Sequence, residues 1–210
     1  MHARCDAPAP WRIMLEPKPM LQGRRLHRYT YAEYVALELR SPTKHEFLDG
    51  EIYAMAGGSE EHSALAAEVL RALGNAMGEL PCRVHTSDLR IYVEAVGLST
   101  FPDGAVVCGP LEQHKPSPDA TALNPSVLLE VTSDSSEEYD TGAKFDAYRT
   151  LPSLRDYILV SHRERRITVH HRDGHGEWTT RVAINGGRVL VESLRATLLV
   201  DEIYRRSSIA

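Results

Sequence analysis

The sequence predicts an α/β domain in which helices cover a β-sheet. Three observations carry that expectation. Segments with apolar residues at helical spacing alternate with short β-type runs. The run from 127 to 131, VLLEV, is apolar at both parities except for Glu130, as a strand covered on both faces must be. The chain has 210 residues, 42% hydrophobic and 25% charged, enough for one domain core and too little for two.

The elements follow in order. Residues 1–28 carry Pro8, Pro10, Pro17 and Pro19, which forbid a continuous helix, and end in the basic cluster Arg24, Arg25 and Arg28. They read as an irregular N-terminal arm without the apolar stretch of a signal peptide. Thr30-Tyr31-Ala32-Glu33 is a capping box that starts a short helix to about Leu39. Asp49-Gly50 between apolar flanks predicts a hairpin. Gly57-Gly58-Ser59 leads into a long helix from about 60 to 77, whose apolar face is Ala64, Leu65, Val69, Ala72, Leu73 and Ala76. Strands are expected at about 83–93, 100–107 and 126–132, with a Pro-rich loop over 109–124. A second helix is expected from about 136 to 150, stopping before Pro152. Strands at 157–160, 167–171, 178–184 and 188–191 complete the reading, with Asn185-Gly186-Gly187 as a turn and Asp173-Gly174 as a hairpin tip.

Composition narrows the function classes. The formal net charge is −5, which argues against gripping nucleic acid by overall positive charge. No run approaches the ~18 apolar residues of a membrane span, so no membrane partner is expected and a cytoplasmic location is. Cys5, Cys82 and Cys108 form no CxxC pair, and Cys82 and Cys108 read as small buried hydrophobes in a reducing compartment. Charge is unevenly spread. Residues 46–144 carry 17 acidic and 5 basic groups, whereas 155–188 carry 4 acidic and 7 basic ones. The acidic block is either a solvated surface or a carboxylate cluster for a hard cation.

Individual residues sharpen that choice. A carboxylate in a covered strand needs a partner or a metal, so Glu130 is a candidate ligand unless it sits at the strand end against solvent or an arginine. Pro102-Asp103-Gly104 places Asp103 at the mouth of an apolar strand, although the same tripeptide also makes a plain turn. At 100° per residue, Ala143, Ala147, Tyr148 and Leu151 share an arc with Lys144 near its centre. Lys144 is therefore expected to face the sheet, one turn beyond Asp140, rather than snorkel outward.

Those residues carry a family resemblance. The segments KHEFLDGEIYAMAGGSEEH, VHTSDLRIYV, TFPDGAVV, LLEVTSDSSEEYDTGAKFDAY and RDYILV, in that order, resemble the Uma-type family of restriction-endonuclease-like proteins in the PD-(D/E)xK superfamily. The resemblance covers about 29–204, a single domain with a tail at 205–210. It implies a restriction-endonuclease-like mixed β-sheet flanked by helices, with an N-terminal helix and peripheral hairpins. It also implies a nuclease site binding Mg²⁺ or Mn²⁺. Asp103 and Glu130 match the two metal-binding acids, and Thr132 stands where the simple motif has lysine. Lys144 matches the lysine migrated to the following helix, and Glu46 matches an acid contributed from the N-terminal part. Asp88 and His62 match recurring positions without an assigned role. Ile158 stands where relatives often carry tryptophan.

The expected function is divalent-metal-dependent hydrolysis of phosphodiester bonds, with DNA the expected partner and a homodimer suited to two-strand cutting. Arg163, Arg165 and Arg166 are either phosphate contacts or a solvated edge. Two rivals stand beside this reading. One is a zinc site at His162, His170, His171 and His175, weighed against an exposed hairpin. The other is a non-catalytic module that uses a nuclease fold to bind nucleic acid or protein. Gly57-Gly58 lacks the Lys-Ser/Thr of a P-loop.

Overall fold

The computed structural model describes residues 27–115 and 121–209. Most of the N-terminal arm, including Arg24 and Arg25, lies outside them, as does part of the 109–124 loop. Helix α1 (Tyr31–Glu38) forms on the predicted capping box: Thr30 Oγ1 accepts the Glu33 N–H at 3.2 Å, and the Glu33 carboxylate accepts the Thr30 N–H at 2.7 Å. Strands β1 (His45–Leu48) and β2 (Glu51–Ala54) form the hairpin, with Asp49 and Gly50 both at positive φ. Arg28 ties down this turn by bonding the Asp49 carboxylate at 2.7 Å. Helix α2 (Glu60–Ala76) starts at the Ser59 cap and buries Leu65, Val69 and Leu73.

Two of the expected strands are interrupted. Residues 83–93 divide into β3 (Cys82–Thr86) and β4 (Arg90–Val93), which lie in different sheets because the polar stretch Ser87-Asp88 turns the chain. Residues 100–107 likewise divide into β5 (Leu98–Thr100) and β6 (Gly104–Cys108), with Pro102, which has no N–H for a ladder, between them. The short β7 (Thr121–Ala122) and the five-residue β8 (Val127–Val131) follow. The predicted helix at 136–150 is also broken, into α3 (Glu137–Thr141) and α4 (Ala143–Tyr148). Gly142 makes the break; a Cβ there would stand 2.9 Å from the Glu138 carbonyl oxygen. Strands β9 (Asp156–Val160), β10 (Arg166–Arg172), β11 (Trp178–Ile184) and β12 (Arg188–Val191) match their predicted positions. A 3-10 turn at Glu192–Leu194, β13 (Ala196–Leu199) and α5 (Val200–Ile203) were not read from the sequence. After α5, Ser208 bonds Glu61 and the Ile209 carbonyl accepts from Arg165.

The main sheet has the order β11-β10-β9-β8-β6-β3, with β8 and β9 parallel and its other pairs antiparallel. A second sheet has the order β2-β1-β5-β4-β7, and β12 and β13 form a ribbon. The main sheet is therefore mixed and covered on both faces. Val127, Leu129 and Val131 pack with α2 and the ribbon, whereas Leu128, Tyr157 and Leu159 pack with Tyr148 and the second sheet. Period-two alternation then assigns Glu130 to the α4 face.

One sequence expectation is overturned. Cys82 and Cys108 are not separate buried hydrophobes: they stand opposite each other in the β3–β6 ladder and form a disulfide. The sequence reading put Cys82 just before one expected strand and Cys108 just after another without showing that those strands pair, and the cysteines lend no support to a reducing compartment. The bridge closes a loop with a sequence separation of 26. Reduction is expected to lower unfolding stability by about 3–4 kcal/mol on chain-entropy grounds. The urea midpoint with and without dithiothreitol measures it, with Cys82→Ser as control; an unchanged midpoint means the bridge is not formed in solution. Among the described residues, no helix is long and apolar enough to cross a membrane.

Candidate active site

The break between β5 and β6 is what frees Asp103. The β6–β8 ladder pairs Gly104 with Leu129, so Asp103 stands one step further on, opposite Glu130. The Asp103 carboxylate oxygen Oδ2 accepts the Val131 N–H at 2.8 Å and lies 3.0 Å from His62 Nε2. His62 reaches it from the first turn of α2, its ring folded over Gly58, where a Cβ would lie 2.5 Å from Nδ1. Gly104 allows this close approach of α2, since a Cβ there would meet Leu70 at 2.4 Å.

Glu130 is only 4% exposed, as is Lys144, and Lys144 Nζ lies 2.8 Å from Glu130 Oε1. The inward lysine predicted from the helical arc is thus observed. Nζ also lies 3.5 Å from Oδ1 of Asp140, itself buried. Tyr148, one turn beyond Lys144, donates to Glu130 Oε1 at 2.9 Å. Glu46 enters from β1 of the other sheet, and Tyr139 of α3 donates to its Oε1 at 2.9 Å. Glu46, Asp103, Glu130, Lys144 and His62 are therefore drawn together. Asp88 is not drawn in; its carboxylate is taken by Lys44 at 2.8 Å. The tyrosines Tyr139 and Tyr148 were missed as site residues. For Tyr148 a signal existed, because it shares the Lys144 arc and carries a hydroxyl that burial obliges to find an acceptor.

Electrostatics follow from burial. Burial pushes the Glu130 carboxyl up to about 8; Lys144 pulls it down, while Asp103 and Asp140 add to the rise. Burial also raises Asp140 against the pull of Lys144. Burial opposes the charge on Lys144, but Glu130, Asp140 and Glu46 outweigh it and hold the ammonium above the ordinary lysine value. The hydrogen bond to Asp103 raises His62, with burial opposing. Four carboxyl groups thus share one ammonium and one imidazole, a surplus of hard oxygen donors. No three His, Cys, Asp or Glu side chains among the described residues converge into a ready-made metal centre. Among the described residues, Asp103 Oδ1 accepts no hydrogen bond, and Glu130 Oε2 has only the 3.4 Å approach of the Asp103 N–H. Two uncommitted oxygens suit Mg²⁺, which keeps several of its waters.

The other sequence candidates are committed elsewhere. Arg163 pairs with Asp134 and Glu137, Arg166 with Glu164, and Arg165 with the Ile209 carbonyl. His170 and His171 are consecutive in β10 and face opposite sides: His170 stacks on Phe145, and His171 bonds Asp156. They cannot converge on one zinc ion. His162 is held by Thr132 at 2.8 Å and Asp134 at 3.1 Å.

A mixed sheet covered on both faces, with a short arm of carboxylates where β6 and β8 meet α4, defines a restriction-endonuclease-like fold. The same fold is found in a solved chain from Anabaena variabilis described as a putative nuclease belonging to DUF820, with a TM-score of 0.63 and 18% identity over 82% of this chain and 97% of that one. A family model described as Uma2, putative restriction endonuclease, matches residues 31–199, and the chain belongs to that family. Two uncharacterised proteins of Synechocystis sp. are similar along most of their length. One is 36% identical over 173 residues, 82% of this chain and 90% of the relative. The other is 31% identical over 151 residues, 71% of this chain and 84% of the relative.

Proposed function

We propose that this member of the family is an endonuclease that hydrolyses phosphodiester bonds in DNA and requires Mg²⁺ or Mn²⁺. The observation that carries the reading is Lys144 Nζ, buried 2.8 Å from Glu130 with Asp103 opposite on the next strand. Asp103 and Glu130 would hold the cation, with Glu46 as a further acid. When bound, the cation supplies Lewis-acid neutralisation of phosphoryl charge and makes water easier to deprotonate. The chain's own groups do the rest. The Lys144 ammonium orients the attacking water and stabilises charge developing on phosphorus. Water would form the new P–O bond and lose a proton to solvent, while the bond to the sugar oxygen breaks and that oxygen takes up a proton from solvent. Tyr148 fixes the rotamer of Glu130, Tyr139 that of Glu46, and the Val131 N–H and His62 that of Asp103. Without metal the acidic cluster would repel DNA, so substrate binding is expected to depend on metal. Two copies acting together would cut both strands.

Cleavage of plasmid, linear duplex, single-stranded and flap DNA, and of RNA, tests the reading with Mg²⁺, Mn²⁺ or EDTA. Metal-dependent cutting of DNA is the expected result. Cutting of RNA alone would move the substrate class. Folded protein that cuts nothing and binds no Mn²⁺ would replace the nuclease by a non-catalytic binding module.

A further inference from the structure

The main sheet ends on an unguarded edge. β11 is its outermost strand, with β10 on one side and, among the described residues, no strand on the other. Proteins keep exposed edges from pairing by charge, proline, bulges or shortness. Of the other edge strands, β2 has four residues, β7 has two, and β3 carries Arg83 and His85. β11 has seven residues, WTTRVAI, in unbroken register with β10, with no proline and one charge. Val182 and Ile184 are 50% and 60% exposed on it.

The hydrogen-bond phase of the ladder fixes which backbone groups face outward. The Asp173 N–H bonds the Glu177 carbonyl at 3.0 Å across the hairpin. Alternate pairs of an antiparallel ladder exchange bonds, so Thr179, Arg181 and Ala183 bond inward to β10 in the observed register. Trp178, Thr180 and Val182 therefore turn their N–H and C=O groups toward the open edge. The other side of β10 agrees. The Arg172 N–H bonds the Arg155 carbonyl and the Arg166 carbonyl accepts from Ser161, each turned away from its β11 neighbour.

Charge then selects the occupant. Glu177 and Arg181 lie two residues to either side of Thr179, on one face of the strand. Arg181 pairs with Glu192 and has donors to spare, whereas the exposed Glu177 carboxylate has no partner among the described residues. The strand is thus charge-palindromic: a second copy paired antiparallel about Thr179 meets each Glu177 with an Arg181. Registers centred on Glu177 or Arg181 would set like charges face to face, which destabilises a ladder. About Thr179 the central pair is threonine on threonine, and the outward groups of Trp178 and Thr180 bond those of Thr180 and Trp178 in the copy.

We infer that β11 is a self-association surface, joining two copies of this chain edge to edge into one continuous sheet in the register centred on Thr179. The surface is separate from the carboxylate cluster and does not depend on the nuclease reading.

Sedimentation velocity of the whole protein over a concentration series tests it. A dimer is expected, with its dissociation constant raised at least tenfold in Glu177→Arg, which sets two arginines against each other. Thr180→Pro should weaken it similarly, because it removes an N–H that β10 does not use. Arg181→Glu should also weaken it, and an equimolar mixture of Glu177→Arg with Arg181→Glu should dimerise again, since every facing pair is then of opposite charge. Glu177 is exposed, so its variant folds even if Arg181→Glu loosens the contact with Glu192. The register is read by cross-linking. In a Cys5→Ser background, Thr179→Cys should form an intermolecular disulfide with oxidised glutathione, because facing Cα atoms of such a pair stand ~4.5 Å apart. A monomer at every concentration overturns the inference, whether or not the edge captures a strand of another protein. So does a dimer that Glu177→Arg and Thr180→Pro leave unchanged, or a dimer that Thr179→Cys fails to cross-link.

Discussion

Lys144→Ala is expected to abolish cleavage and at the same time destabilise the metal-free protein by about 3–5 kcal/mol, the scale of leaving a buried charge unpaired. Both effects have one source: the ammonium is the counter-charge for Glu130 and Asp140 in a site closed to solvent. Activity should fall by roughly 10²–10³-fold or more, as when a preorganised charge is removed from a phosphoryl or acyl transition state. Combining Lys144→Met with Glu130→Gln and Asp140→Asn separates the two effects, because the ammonium and both of its carboxylates are then gone. The triple variant should recover most of the stability and none of the activity in urea melts and cleavage assays. A Lys144→Ala protein that cuts at the wild-type rate would remove Lys144 from the mechanism. The pH dependence has a definite sign. The folded Glu130 carboxyl titrates near 8 against an ordinary 4.5, so the folded state holds the proton more tightly. Its contribution to stability is full below 4.5 and is lost as pH rises through 8. Stability in EDTA should therefore decline across that window, and Mn²⁺ should offset the decline.

Asp103→Asn is expected to lose metal binding and at least ~10³-fold in cleavage, several kcal/mol of charge stabilisation at 1.36 kcal/mol per tenfold, with the fold intact. The asparagine oxygen can still accept the Val131 N–H, so the end of β8 stays held. His62 loses the anionic partner that raises it, so its pKa should move down in an NMR titration. Wild-type Mn²⁺ affinity in Asp103→Asn would transfer the metal to other residues. Unchanged titration of His62 would mean that its bond to Asp103 is not formed in solution.

What the sequence made legible was local. The capping box, the Asp49-Gly50 hairpin, the long helix and the covered strand are written in neighbouring residues, so periodicity and turn chemistry suffice to find them. Lys144 was found because its orientation depends only on the helical arc, and Gly142 broke the helix without turning that arc away from the sheet. Glu46 lay beyond such reasoning and entered only through family resemblance, since its approach depends on a second sheet docking beside the first. The disulfide was misread for the same cause. Pairing of β3 with β6 is a long-range choice that no window of sequence displays. Asp88 shows the converse, where a position matched by resemblance is taken by Lys44.

The link from Tyr139 to Glu46 joins the helix after β8 to a strand of the other sheet. Order of synthesis then bears on safety. β1 leaves the ribosome nearly a hundred residues before Lys144, and the acid, the lysine and their tyrosine latches meet only after both sheets have formed and closed on each other. A partly made chain therefore has scattered carboxylates and no assembled site. A site built across such a seam exists only once both of its halves are in place.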